Sequence, residues 1–328
     1  MTTPSTTMTT LYAERVTELV VSERGEAADG VVSLVLVDPM GNEVPAWTPG
    51  AHVDLLLSAD LTRQYSLCGS PSDRSRLRVG VLLDRAGRGG SKHVHERLQP
   101  GTPVSVRGPR NNFPLVTSRR YLFVAGGIGI TPLLPMVAEA DSADADWTLF
   151  YGGRSRGSMA FLDELARYGD QVHVWPEDEL GLLGLEGILG RPQPETLVYA
   201  CGPEGLLSAV ESSCRAWPPG SLHVERFAAK PSSVEQDESR TSFEVVCQRS
   251  GITVAVPEDR SILEAVQEAG VNALSSCLEG VCGTCETAVV EGTPDHRDSL
   301  LSEDEKEAGD YMMICVSRSR SERLVLDL

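Results

Sequence analysis

The sequence predicts a multidomain α+β chain: an antiparallel β-barrel at 11–118, a parallel-sheet α/β domain at 119–228, a linker at 229–240 and a small α+β module at 241–328. Three observations predict it. At 328 residues the chain exceeds one ordinary domain and fits two or three of roughly 100–150 residues. Near Arg120 the rhythm changes from short β-rich segments to apolar strands alternating with helical stretches. Four of the eight cysteines then crowd into residues 277–315.

Segments 31–37 (VVSLVLV), 53–57 (VDLLL), 77–83 (LRVGVLL) and 103–107 (PVSVR) are short, β-rich and separated by Gly, Pro and polar turns, as in a small antiparallel barrel. From Arg120 onward come 121–125 (YLFVA), a glycine loop, 148–152 (TLFYG), a helix near 159–168, 171–175 (QVHVW), 196–201 (TLVYAC) and a helix near 204–215. That is the order of a parallel sheet with crossover helices. The segment 228–240 (AAKPSSVEQDESR) is polar, charged and nearly free of large apolar residues, which reads as a linker. Strands at 242–247 and 253–256 follow, then a helix N-capped by Ser261, a cysteine loop and a terminal LVLDL (324–328).

A hydrophobic fraction of 41% is enough to build cores, and nowhere do about 18 apolar residues run together as a membrane-spanning helix requires. The first seven residues are polar and do not resemble a secretory signal, so a soluble, cytoplasmic monomer without membrane attachment is expected. A net charge of −18 argues against nucleic-acid binding, which relies on a basic face, and suits a partner with a basic docking patch. Solubility alone is the plainer explanation of that charge.

Cys277, Cys282 and Cys285, with Cys315 thirty residues on, have the C-x4-C-x2-C…C spacing of plant-type [2Fe-2S] clusters. A structural zinc site is the alternative, but its ligands normally come as two short pairs, and here the spacing is three plus one. Without an export signal, metal ligation is expected over disulfides. Gly280 and Gly283 lack side chains and so let backbone N–H groups approach the sulfurs. Such a cluster carries one electron and cannot accept a hydride, so a flavin is expected to divide two-electron chemistry into single steps.

Two segments in the barrel region offer a flavin what it needs. Arg63-Gln64-Tyr65-Ser66-Leu67 supplies an aromatic ring, a hydroxyl and an arginine, and Gly87-Arg88-Gly89-Gly90-Ser91 supplies amides and a serine for phosphate oxygens. Ala125-Gly126-Gly127-Ile128-Gly129-Ile130-Thr131-Pro132 follows a buried strand and opens a helix, where free amides favour a pyrophosphate. It is not the G-x-G-x-x-G fingerprint, and Asp144 and Asp146 match the expected acidic residue only loosely. Cys201-Gly202-Pro203 ends a later strand, at the sheet edge where open α/β folds bind ligands, although Cys201 also reads as a small buried apolar residue.

Assembled, these residues make the chain similar to the ferredoxin–NADP reductase superfamily. Within it the chain resembles the reductase components of Rieske-type aromatic-ring oxygenases, the phthalate dioxygenase reductase and vanillate demethylase reductase group. The resemblance runs through RQYSL, GRGGS, NNFPL (111–115), AGGIGITP, YACGP (199–203), VERF (224–227), the cysteine loop, DHRDSLLSEDEK (295–306), CVSRSRS (315–321) and LVLDL, with the ferredoxin part last.

The resemblance implies a flavin-binding barrel, a nucleotide domain and a C-terminal β-grasp ferredoxin. It implies FMN held by Arg63, Gln64, Tyr65, Ser66, Gly80, Val81, Leu82, Arg88, Gly89, Gly90 and Ser91, with Thr131 and Phe227 at its border. Phe227 would stack on the ring where nicotinamide must slide in. Gly126, Gly127, Gly129 and Pro132 would lie under the NAD pyrophosphate, with Arg154, Cys201, Gly202 and Pro203 lining the rest of the nucleotide path. Leu82 departs from the pattern, standing where a basic residue could have helped hold the flavin.

FMN is expected over FAD because the barrel shows no separate adenine-binding insertion. NADH is expected over NADPH: Arg154 and Arg156 could meet a 2′-phosphate, but Glu177, Asp178 and Glu179 would repel one. The implied function is electron delivery to a terminal Rieske-type oxygenase docking at the acidic ferredoxin part, where 17 acidic face 7 basic residues from Thr241 onward. A cytochrome P450 or carnitine-type monooxygenase as acceptor, and a redox-sensing flavin/iron–sulfur protein, are the alternatives.

Overall fold

The computed structural model describes residues 15–59, 61–229 and 241–328; the expected linker lies, from residue 230 on, outside them. The first sheet comprises β1 (Val16–Ala28), β2 (Val31–Val37), β3 (His52–Ser58), β4 (Leu61–Ser66), β5 (Leu77–Leu82) and, after helix α1 (Gly90–Arg97), β6 (Pro103–Arg110). All pairings are antiparallel, in the order β4-β3-β6-β1-β2-β5. A bridge from Leu67 to Val79 and the Cys68 N–H donating to Arg78 O at 2.9 Å join the two edges, which removes the unpaired strands an open sheet would expose. Val53, Leu55, Val79 and Val81 point inward to the barrel core. By the period-2 rule, His52 and Asp54 face outward on β3, yet they are 1% and 0% exposed, so something covers that face.

The second sheet is parallel, in the order β11-β10-β7-β8-β9. It runs β7 (Arg120–Gly126), α2 (Ile130–Ser142), β8 (Asp146–Gly153), α3 (Leu162–Leu165), β9 (Val172–Pro176), α4 (Glu177–Leu180), α5 (Leu185–Leu189), β10 (Thr196–Cys201), α6 (Glu204–Ser213) and β11 (Leu222–Glu225). One face carries Tyr121, Phe123, Trp147, Tyr151 and Tyr199; the other buries Leu122, Val124, Val198 and Ala200 with Leu189, Leu207 and Val210. Burial on both faces explains why these strands read as continuous apolar runs. The helix expected near 159–168 is instead broken: Phe161 is left-handed (φ 64°), α3 lasts four residues, and a 3-10 segment follows at Ala166–Gln171. Phe161 is turned toward the barrel, where Arg78 lies over its ring at 4.9 Å and forms a two-pronged pair with Glu164 at 2.9 and 2.8 Å. Val31, Cys68 and Phe113 join the core of Phe123 and Ile130, so the barrel and the parallel sheet share apolar packing.

The third unit has β12 (Phe243–Cys247), β13 (Ile252–Val256), α7 (Ile262–Glu268), β14 (Glu286–Glu291), β15 (Pro294–Asp295), α8 (Glu303–Ala308), β16 (Tyr311–Met313), β17 (Arg318–Ser319) and β18 (Arg323–Leu326). Its main sheet runs β13-β12-β18-β14-β16, with β12 and β18 parallel and α7 packed on it through Ile262, Leu263 and Val266, the β-grasp arrangement. Ser261 caps α7 as expected, accepting the Glu264 N–H at 3.2 Å while Glu264 reaches back to the Ser261 N–H at 2.9 Å. Among the described residues no helix is long and apolar enough to cross a membrane.

Candidate functional site

The parallel sheet creates the first part of the site at its carboxyl edge. Ala125, next to last on β7, pairs with Cys201, ending β10, so the glycine loop and the Cys201-Gly202-Pro203 turn emerge side by side. A Cβ on Gly129 would stand 2.3 Å from Cys201 O, and one on Gly202 would stand 2.9 Å from Gly126 Cα. The glycines are therefore required by the contact of these two loops with each other, a constraint beyond the phosphate cradle expected of them. Gly127 has φ +53°, which turns the chain into α2. Pro132 sits in the first turn of α2, where its missing N–H costs nothing. Thr131, 2% exposed, donates to Ile128 O at 2.9 Å and lies over β5, where a Cβ on Gly80 would meet its Cγ2 at 2.9 Å. Of the neighbours of Gly80, Val81 is buried in the barrel and Leu82 is 42% exposed.

The flavin motifs come together across the barrel mouth. Arg63, Gln64, Tyr65 and Ser66 lie on β4, opposite Leu55, Asp54, Val53 and His52 of β3. The Gly87–Ser91 run is more than a turn: Gly89 (φ +83°) precedes α1, which begins at Gly90 and contains Ser91, so its first amides are open to an anion. The Arg63 stem crosses this helix start, where a Cβ on Gly90 would come within 2.2 Å of it, and Arg63 donates to Arg88 O at 2.9 Å. Ser91 Oγ accepts the Asp84 N–H at 3.0 Å. Burial pushes the Tyr65 phenol up, so it stays a neutral hydrogen-bonding group. An arginine over a helix N-terminus, beside a half-buried phenol and a serine, is a donor set that fits the phosphate and ring edge of a flavin.

The seam between β4 and β11 holds a residue to which the sequence alone assigned no role. Glu225, at the end of β11, lies with Oε2 3.5 Å from Ser66 Oγ and 4.0 Å from Cys201 Sγ. Burial raises its carboxyl to about 8, only partly opposed by the Ser66 hydrogen bond, and burial also raises the Cys201 thiol well above its ordinary range. At neutral pH both are protonated. Phe227, two residues on, is 44% exposed. Farther out, Arg154 O accepts the Asp178 N–H at 3.1 Å, and Arg156 pairs with Glu179 at 3.1 Å.

In the third unit, Cys277, Cys282 and Cys285 are buried and Cys315 half-buried; all four are free of disulfides. Among the described residues no three His, Cys, Asp or Glu side chains converge on a single-ion point. Cys282 interacts with Cys277, and Cys315 with both Cys277 and Cys285, so the four thiols are neighbours, which suits a two-iron cluster. The Glu279 N–H reaches Cys277 Sγ at 3.3 Å and the Gly280 amide reaches Cys315. Gly280 and Gly283 are left-handed (φ +68° and +72°) and pack against Asp298 and Asn112.

That loop is seated on the barrel. Arg88 donates to Cys277 O at 2.6 Å and pairs with Glu279 at 2.9 Å, and Asn112 donates to Cys282 O at 3.0 Å. Ser276 Oγ donates to Asp54 Oδ1 at 2.8 Å, which identifies what covers the outer face of β3.

Residues 245–320 match the family of 2Fe-2S iron-sulfur cluster binding domains. Over 303 residues, 92% of this chain and 94% of the other, the sequence is 43% identical to a phenoxybenzoate dioxygenase subunit beta of Ectopseudomonas oleovorans. Among solved structures, a phthalate dioxygenase reductase, described as modular for electron transfer from pyridine nucleotides to [2Fe-2S], matches with a TM-score of 0.71 at 35% identity, covering 95% of this chain and 98% of that one. An intact type IV self-sufficient cytochrome P450 monooxygenase matches with a TM-score of 0.89 at 44% identity over 95% of this chain, which spans only 41% of that longer protein.

Proposed function

We propose the following electron path for this chain, which belongs to the phthalate dioxygenase reductase group of oxygenase reductases: a nicotinamide in the crevice beside Cys201 gives up a hydride, and electrons leave singly through the cysteine loop. The chain is an NAD(P)H-dependent oxidoreductase, the electron-transfer component of an oxygenase system. The observation that carries the path is Arg88, whose backbone is bound by the flavin-motif Arg63 while its side chain holds Cys277 O and Glu279. One residue thus joins the two redox stations.

When bound, flavin divides a hydride into two single-electron deliveries, and a [2Fe-2S] cluster carries them one at a time. Arg63 and the open amides at the start of α1 hold the flavin phosphate, which favours FMN. Tyr65 and Ser66 orient its ring, with Thr131, Gly80, Val81 and Leu82 bordering it. Gly126, Gly127 and Gly129 admit the dinucleotide pyrophosphate beside Pro132, and Gly202 and Pro203 wall the crevice. Phe227 yields its place to the nicotinamide. Glu225 and Cys201, both protonated, present a neutral polar wall there. Cys277, Cys282, Cys285 and Cys315 ligate the cluster. Arg156, already paired with Glu179, has no charge to spare for a 2′-phosphate, which supports NADH.

The partner is a terminal oxygenase, of the Rieske type in the favoured reading, approaching the acidic ferredoxin part of a monomeric reductase. A cytochrome P450 acceptor is the second reading, favoured by the 44% identity to the self-sufficient monooxygenase. The path is tested with Cys282→Ser: ferricyanide reduction by NADH should persist and cytochrome c reduction should fall to background. Equal loss of both in a folded, flavin-loaded variant would refute the order of carriers.

A further inference from the structure

We propose that the buried Asp54–Arg107 pair of the barrel is a preassembled receptor that seats the cluster loop through Ser275 and Ser276, making these the positioning residues for the internal electron step. Asp54 and Arg107 are directly opposed in the β3–β6 register. Arg107 binds Asp54 Oδ2 through Nε at 3.0 Å and Nη2 at 2.8 Å, and Arg110 Nη2 lies 2.8 Å from the same oxygen. Burial alone would raise the Asp54 carboxyl, but Arg110 and Arg107 hold it below its ordinary range, so it is ionised. Two cations on Oδ2 leave Oδ1 as an oriented acceptor.

The cluster loop supplies the complement. Ser276 Oγ donates to Oδ1 at 2.8 Å, and Ser275 O accepts from Arg107 Nη2 at 2.9 Å. Donor and acceptor stand side by side on each surface, so only one register satisfies both. Ser276 immediately precedes Cys277, and the seat therefore fixes the first cluster ligand against the strand next to Arg63–Ser66.

The distribution of charge matters as much as the geometry. All three ions belong to the barrel and stay paired whether or not the loop is present. At this seat the ferredoxin side contributes only a hydroxyl and a carbonyl, and the Arg88–Glu279 pair that also crosses the junction is partly exposed, so leaving strands no buried charge on that side, whereas breaking a buried ion pair between the two parts would do so. The receptor thus gives a firm register together with an inexpensive release. Resting on the electron path proposed above, each seated encounter passes one electron, oxidising the flavin side and reducing the cluster by one. The two electrons of a hydride then require two encounters, with the partner oxidising the cluster between them.

The test uses the full-length protein loaded with flavin and cluster. Ser276→Ala deletes one charge-assisted bond, worth about tenfold or more in the docking equilibrium. Backbone hydrogen exchange at 274–282 should accelerate by roughly that factor, and stopped-flow reduction of the cluster by NADH should slow, with ferricyanide reduction unchanged. Ser276→Thr, which keeps the hydroxyl, should restore both. Asp54→Asn should have a similar effect, and the double variant should cost no more than the larger single one, because both remove one contact. Additive effects, or wild-type exchange and cluster reduction in Ser276→Ala, would overturn the proposal. If Asp54→Asn does not fold, the Ser276 pair of variants decides alone. Should NADH fail to reduce the wild-type cluster, the electron path falls, while the exchange data still decide the seat.

Discussion

Ser66 Oγ and Glu225 Oε2 stand 3.5 Å apart across the seam between the barrel and the parallel sheet, with Cys201 Sγ 4.0 Å from the same carboxylate oxygen. Burial lifts Glu225 to about 8, so the folded chain holds a proton there that the unfolded chain releases above about 4.5. The folded state binds more protons across that window, and stability therefore falls as pH rises from about 4.5 to about 8. Glu225→Gln should abolish this slope and be more stable than the parent at pH 8.5, seen as a higher Tm in thermal melts. Equal pH dependence in variant and parent would contradict the assignment. The same variant should keep NADH turnover within a few-fold at pH 7, where the parent carboxyl is already neutral, and should lose the decline expected of the parent above pH 8.

Gly129→Ala should damage the crevice through contact with backbone. Its Cβ would lie 2.3 Å from Cys201 O, and neither loop has a flexible side-chain end that can yield. A loss of about 1–3 kcal/mol in stability and a KM for NADH raised severalfold are expected. Gly127→Ala is the control: it is strained by φ +53° but meets nothing within 4 Å, so it should cost about 1 kcal/mol. Indistinguishable variants would show that the loop contact is unimportant.

Cofactor choice should respond to Glu179. Its carboxylate occupies Arg156 at 3.1 Å, and Glu179→Ala frees that guanidinium for a phosphate. The ratio of kcat/KM for NADPH over NADH should rise by about two- to fivefold, the worth of one exposed charge pair. An unchanged ratio would place the 2′ position elsewhere.

What could be read from the sequence depended on whether the information was local. The cysteine loop packs three cysteines into nine residues, and the parallel strands are uninterrupted apolar runs, so both were legible. The longest strand, β1, was not identified, because its pairing with β2 slips between Val21 and Glu23 and again between Glu26 and Ala28, which breaks the period-2 pattern. Phe161 reads as helix-forming, yet the barrel's Arg78, which lies over its ring and pairs with Glu164 of α3, holds it in a left-handed turn. Glu225 and Asp54 were assigned no role: one stands inside the VERF run, the other inside VDLLL. Their roles come from Ser66 and Ser276, residues 159 and 222 positions away.

Delivery to the oxygenase should depend on salt through α8. Residues from Thr241 onward carry 17 acidic against 7 basic side chains, and Glu303, Asp304 and Glu307 of α8 are exposed, while Glu305 is occupied in capping Ser302. The segment between the β14 and β16 strands, which flank the cysteines, is therefore a negative surface suited to steering a basic face into contact. Raising ionic strength from about 0.01 M to about 0.3 M shortens the screening length from roughly 30 Å to under 10 Å. The second-order rate of oxygenase reduction should fall by roughly tenfold or more over that range, with internal cluster reduction unaffected. Replacing Glu303, Asp304 and Glu307 by Gln should lower the low-salt rate and flatten its salt dependence, leaving ferricyanide reduction intact. A rate to the partner that ignores both salt and these substitutions would mean that the acidic surface serves solubility alone.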